Sequence, residues 1–373
     1  MKLTIASSKL MNPLHIFTRK TKKAASSAFT QGEMPLPRQL LIAATFKCAA
    51  KCPHCYLLQQ DKQIFSEQTV MAEDLFQRIL DSPFINDISV TTFHGGEALL
   101  HPSLFDWMDQ AHRRGLPKIK TITNGLSLQT DRIVENLLER EYLAALNVSL
   151  DAITPEAFCR AKGIKNCDFE KICRQVKRIA DRFRGTQTSI SGSFVTYRLD
   201  TEETREIIRF GESLGLHNLT LRAFHTATDH AVRQSQAQQI KEVMTISDQI
   251  MNQTDYQINV KIKLPFMATK PAFFCRSLAH YLCIGANGTL APCCHIPWDP
   301  KYGTFAEADK NPINSPSIVA MREKFVQAAA RNDQDLVPAP CRFCTKRAKG
   351  KMVFAADTKQ WTRKPKKNPV NPV

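Results

Sequence analysis

Short apolar runs alternate with longer amphipathic stretches through most of this chain. Runs of strand length occupy 39–46, 87–93, 117–123, 143–150, 188–196 and 217–224. Between and after them, residues 67–81, 102–114, 128–140, 154–181, 202–214 and 233–252 place their apolar positions at helical period. The strand-length runs are nearly continuous in apolar character, as strands covered on both faces must be. Six strand–helix repeats predict an α/β fold: a parallel sheet with right-handed crossovers, whose site lies at the carboxyl ends of the strands.

The residues that carry chemistry follow those strands in order. After the first run comes Cys48-Ala-Ala-Lys-Cys52-Pro-His-Cys55. Three thiols at C-x3-C-x2-C spacing in one loop can hold three irons of a [4Fe–4S] cube and leave the fourth open. A fully thiolate-ligated cluster serves electron transfer or structure, whereas an open metal position can bind and activate a ligand. The alternatives are a zinc site, with His54 as a fourth ligand, or plain structural thiols. After the second run comes His94-Gly95-Gly96-Glu97-Ala98, after the third Thr123-Asn124-Gly125, and after the fourth Ser149-Leu150-Asp151. Taken singly, these read as turns and a helix cap. Strand alternation would put Ser149 and Asp151 on one face.

In this order and position, the motifs resemble those of the radical S-adenosylmethionine (radical SAM) superfamily. The resemblance implies a partial (β/α)6 TIM-like barrel over residues 38–255. It implies that the open iron is chelated by the amino and carboxylate groups of SAM. It also implies reductive SAM cleavage to a 5′-deoxyadenosyl radical that abstracts a substrate hydrogen. Gly95-Gly96-Glu97 matches the family segment that holds the SAM amino group, with Ala98 where the family has proline. Ser149 and Asp151 match the segment near the ribose and carboxylate, and His54 takes the aromatic position beside adenine. The expected cofactor-binding set is His54, Gly95, Gly96, Glu97, Asn124, Ser149 and Asp151. No catalytic side chain is singled out.

The C-terminal third holds a second cysteine system: Cys275, Cys293 and the pair Cys341-Arg-Phe-Cys344. Residues 282–293 read as a β-hairpin turning at Asn287-Gly288. A zinc ribbon is the alternative to a second cluster, and Cys294 an alternative ligand. Cys159, Cys167 and Cys173 read as ordinary packing. The arrangement is similar to the SPASM/twitch auxiliary-cluster domains of radical SAM enzymes. That resemblance implies a small cysteine-rich hairpin/helix domain over 256–345, with one fully ligated auxiliary [4Fe–4S] cluster on Cys275, Cys293, Cys341 and Cys344.

Charge adds tails to this plan. The 373-residue chain carries a net +16. Residues 1–47 account for +7 and residues 346–373 for +8, so the body is nearly neutral. The basic extension 1–37 and the proline-rich tail 346–373, expected to be disordered, could dock an acidic macromolecule. No run is long and apolar enough to span a membrane, and the reduced cysteines suggest the cytoplasm. The resemblance further implies a reductant such as flavodoxin or ferredoxin. Oxidation of a small natural-product metabolite, such as an amino sugar alcohol, is the preferred reaction. Cross-linking or epimerisation of a ribosomal peptide is the alternative. An iron–sulfur or zinc sensor that binds nucleic acid is the non-enzyme reading.

Overall fold

The computed structural model describes residues 34, 36–55, 69–196, 201–223, 256–263, 273, 275–294, 296, 298–306, 311–342 and 361–363. The apolar runs form β1 (Gln39–Thr45), β2 (Val90–Gly95), β3 (Ile119–Thr123), β4 (Ala145–Ser149), β5 (Ser189–Thr196) and β6 (Asn218–Ala223). All six lie in sequence order and pair in parallel. Between them run α1 (Glu73–Leu80), α2 (Leu104–Arg113), α3 (Asp131–Leu138), α4 (Pro155–Lys162), α5 (Phe169–Arg182) and α6 (Thr201–Ser213). The helix expected at 233–252 lies outside the described residues.

One expected helix is two. The stretch 154–181 breaks at Gly163, whose φ of +62° ends α4 in a left-handed cap. A side chain there would meet the Lys51 carbonyl at 2.3 Å. The glycine therefore stops the helix and lets it touch the cysteine loop.

The sheet does not stop at β6. β7 (Asn259–Lys263) pairs in parallel with β6, and β8 (Tyr281–Ile284) pairs in parallel with β1 on the opposite side. β9 (Leu290–Ala291) folds back on β8, and the hairpin turns through Asn287 and Gly288 as expected. β10 (Trp361–Arg363) lies antiparallel on β7. The order is β10-β7-β6-β5-β4-β3-β2-β1-β8-β9, an open sheet of ten strands. β10 corrects the expectation of a wholly disordered 346–373. Its Trp-Thr-Arg triplet is strand-forming and covers an otherwise open edge. The rest of that tail and residues 1–33 lie outside the described residues.

Alternation sorts the two faces. On β4–β6, Leu146, Val148, Ile190, Phe194, Leu219 and Leu221 are buried beneath the helices. Their neighbours on the other face are Asn147, Ser149, Ser191, Asn218 and Thr220, all half-buried. α7 (Arg276–His280) leads into β8. α8 (Pro316–Arg331) carries Arg322, fully buried, which donates to the carbonyls of Leu278 and Ile313 and to Asn314 Oδ1. No helix among the described residues is long and apolar enough to cross a membrane.

Candidate active site

The loop after β1 and the loop after β2 are built against each other. The Gly96 N–H donates to the Thr45 carbonyl at 2.8 Å, and the Glu97 N–H donates to the Lys47 carbonyl at 2.7 Å. A Cβ on Gly95 would lie 2.3 Å from Thr45 O, and one on Gly96 2.4 Å from Lys47 O. The two glycines are thus required by contact with the approach to Cys48. Among the described residues, the close neighbour of each is chain.

Glu97 is buried at 1% exposure. Its Oε2 accepts from the Asn124 N–H at 2.7 Å, while Oε1 has no partner among the described residues. Burial pushes its carboxyl up to about 7. Asn124 completes the triangle, its Nδ2 donating to Cys48 Sγ at 3.4 Å. The structure therefore brings Cys48, Glu97 and Asn124 together. Cys48, Cys52 and Cys55 are half-buried free thiols. The Cys55 N–H closes a turn on the Cys52 carbonyl.

A second group stands on the other side of the loop. Asp151 has φ +63°, so the strand alternation expected to align it with Ser149 ends before it. Its Oδ2 receives Lys162 Nζ at 2.6 Å, and its Oδ1 accepts from the Val195 N–H at 2.9 Å. Lys162 Nζ also donates to the Ser149 carbonyl at 2.5 Å, and the Lys162 carbonyl accepts from the Lys51 N–H at 2.7 Å. His54 Nε2 lies 3.9 Å from Asp151 Oδ2. Ser149 Oγ accepts from Ser193 Oγ at 3.4 Å. Lys162, 1% exposed, joins the β4 end, α4 and the cysteine loop. Sequence reasoning missed it, because a lysine before a glycine at a helix end reads as a solvated C-terminal cation.

Burial raises the Cys48 thiol above its ordinary range and pushes Cys52 up to about 11. Positive charge on a bound iron would reverse that cost. Among the described residues, no three His, Cys, Asp or Glu side chains converge on a single metal ion. Cluster thiolates are bonded to separate irons, so they need not converge in that way. A cavity of about 640 Å³ opens beside the loop, lined by Ala49, Glu97, Asn124, Ser127, Ile164 and Cys167 among others. Its volume suits a cofactor, and Glu97 brings to it a buried carboxylate with an unpartnered oxygen. These residues fit a cluster at the thiols and an ammonium-bearing ligand beside Glu97.

The radical SAM superfamily model matches residues 42–211, from within β1 to within α6. Over those residues the chain is similar to the radical SAM superfamily. The match implies a [4Fe–4S] cluster and SAM. The chain is similar to the antilisterial bacteriocin subtilosin biosynthesis protein AlbA of Bacillus subtilis, 22% identical over 316 residues, covering 83% of this chain and 66% of that one. It is also similar to a probable GTP 3′,8-cyclase of Metallosphaera sedula, 24% identical, covering 50% of this chain and 55% of that one. Against these two curated relatives, the chain thus spans just under two thirds of one and about half of the other. Its fold is like that of Streptococcus suis SuiB bound to precursor peptide SuiA, with TM-score 0.58 and 14% identity, covering 92% of this chain and 79% of that one. The same partial-barrel architecture is seen in SuiB bound to S-adenosylmethionine, with TM-score 0.58.

The C-terminal cysteines of the chain are partly placed. Cys275, Cys293 and Cys341 are buried, before α7, after β9 and in a short 3₁₀ turn. The Tyr302 phenol is pushed up to about 12, first by burial, then by Asp299, and also by the nearby Cys341 and Cys293 thiols. Cys344 lies outside the described residues. Cys159 and Cys167 are 3.4 Å apart, and Cys167 lines the cavity.

Proposed function

We propose that this chain is a radical SAM enzyme that modifies a ribosomally made peptide, by a cross-link or an epimerisation. In this reading Cys48, Cys52 and Cys55 hold the [4Fe–4S] cluster. When bound, the cluster and SAM together supply the radical that abstracts a hydrogen from the substrate. Glu97 receives the SAM ammonium, aligned by the Asn124 N–H. Lys162 and Asp151 fix the far side of the loop so that the thiols keep their spacing. Cys275, Cys293, Cys341 and Cys344 hold an auxiliary cluster.

The observation that carries the peptide substrate is the extent of the likeness to AlbA. It runs over 316 residues and 83% of this chain, well beyond the 42–211 barrel match. SuiB, the fold relative, binds a precursor peptide. The similarity to a GTP cyclase covers only half of this chain. Support therefore turns from the small-metabolite reading, preferred on sequence alone, to the peptide.

The test is mass spectrometry. The reconstituted, reduced enzyme is incubated with SAM in deuterated water and with short peptides encoded beside its gene. A cross-link removes two hydrogens from one of them, and an epimerisation introduces one deuterium. SAM cleavage that leaves every such peptide unchanged, while a small amino sugar alcohol is oxidised, would overturn the peptide reading.

A further inference from the structure

The segment between α4 and α5 is held against the cysteine loop by backbone. The Lys51 N–H donates to the Lys162 carbonyl at 2.7 Å, and Gly163 stands against the Lys51 carbonyl. Two thiols bracket this segment. Cys159 is on α4, and its carbonyl accepts from the Ile164 N–H at 3.0 Å. Cys167 directly precedes Asp168, which caps α5 by accepting from the Lys171 N–H at 2.7 Å. The Asp168 N–H in turn donates to Gln129 Oε1 at 2.7 Å. Both ends of the segment are thus fixed, and they are fixed with the sulfurs in contact: Cys159 Sγ and Cys167 Sγ are 3.4 Å apart.

Packing alone accounts for a fully buried thiol. These two are half-buried, and Cys167 lines the cavity of about 640 Å³ together with Ile164 and Asn166. A small reagent that enters the cavity therefore meets a sulfur with a second sulfur beside it. Burial, and then the hydrogen bond with Cys159, push the Cys167 thiol up to about 12. The thiolate is the attacking species, so exchange at this pair is slow. A low-pKa dithiol gains stability in its reduced form, and this pair lacks that gain. Its disulfide, once formed, should persist.

We propose that Cys159 and Cys167 are a modification site, oxidised by a low-molecular-weight disulfide to an intramolecular disulfide that staples the α4–α5 segment beside the cysteine loop. One cysteine thiolate attacks the reagent, forms a mixed disulfide and releases half of the reagent as a thiol. The second cysteine attacks the mixed disulfide at the first cysteine's sulfur and releases the other half. The two cysteines lose two electrons, the reagent gains them, and each departing thiolate takes up a proton given up by a cysteine. A cross-link restrains opening of the chain it closes. This ring encloses Lys162 and Gly163, so the oxidised state holds Lys51, between Cys48 and Cys52, more firmly. The site is independent of the substrate class.

The test uses the full-length reconstituted enzyme without oxygen, so that the added reagent is the oxidant, and glutathione disulfide is the probe. Remaining thiols are blocked with N-ethylmaleimide, and tryptic peptides are mapped without reduction. Trypsin cuts between the two cysteines at Arg160, Lys162 and Lys165, so the disulfide joins two peptides with the loss of two hydrogens. The joined pair should accumulate in wild type and in Cys173→Ser, disappear on dithiothreitol treatment, and be absent from Cys159→Ser and Cys167→Ser. In oxidised wild type, hydrogen exchange at the Lys51 and Ile164 amides should slow severalfold relative to the reduced protein. Cys159→Ser given the same reagent should show no slowing. Two thiols that stay free, glutathione adducts without the internal link, or a link from either cysteine to Cys173 would overturn the proposal. So would a Cys159–Cys167 link that leaves exchange at both amides unchanged.

Discussion

Gly96 has no room for a methyl group. A Cβ would stand 2.4 Å from one backbone oxygen and 2.6 Å from a second, those of Lys47 and Phe46. Backbone cannot swing aside as a side chain can, so the two loops must part. Gly96→Ala should destabilise the protein by about 1–3 kcal/mol, as overpacking does. It should also lower the iron retained at Cys48, Cys52 and Cys55, because Lys47 immediately precedes the first of these proposed ligands. Denaturant midpoints and iron analysis check both, and a variant unchanged in each would contradict the packing role. The pair Gly95-Gly96 was legible in the sequence as a place of close approach. What it approaches was not, because the partner oxygens lie some fifty residues away. Glu97 and Asn124 were legible as rim residues, but the Glu97–Asn124–Cys48 chain of contacts depends on side-chain placement that no spacing encodes.

At the scale of elements, the tie between the β4 end, α4 and the cysteine loop depends on one buried ion pair. Asp151 and Lys162 are 3% and 1% exposed at their side chains. Removing one partner leaves the other charge buried. Lys162→Met should therefore cost about 3–5 kcal/mol. Asp151→Asn combined with Lys162→Met should cost clearly less than the two single variants added together. Strict additivity in denaturant unfolding would show that the pair does not act as a unit. The six strands of the barrel were readable to within a few residues, because each is a compact apolar run. The break at Gly163 was not readable: helical period continues through it, and the demand for glycine comes from Lys51 across the loop. Lys162 escaped for the same reason, since its burial is set by tertiary contact.

At the scale of the whole molecule, the C-terminal segments extend the barrel's own sheet. β8 joins β1, β7 joins β6, and β10 covers β7. These strands are three to five residues long, and β9 is two. Strands that short carry little pattern, and which strand they pair with is a non-local choice. This arrangement puts β8 and β9, with Cys293 just after them, next to β1, whose following loop carries Cys48, Cys52 and Cys55. In the proposed function, Cys48, Cys52 and Cys55 of that loop hold an open cluster on which SAM is cleaved. Its most direct test is 5′-deoxyadenosine release under strong reductant, measured together with iron content. Wild type is compared with a variant carrying Cys48→Ala, Cys52→Ala and Cys55→Ala. The variant should keep about half the iron, on the auxiliary cysteines, and release no 5′-deoxyadenosine. Release by the triple variant at the wild-type rate would contradict the account.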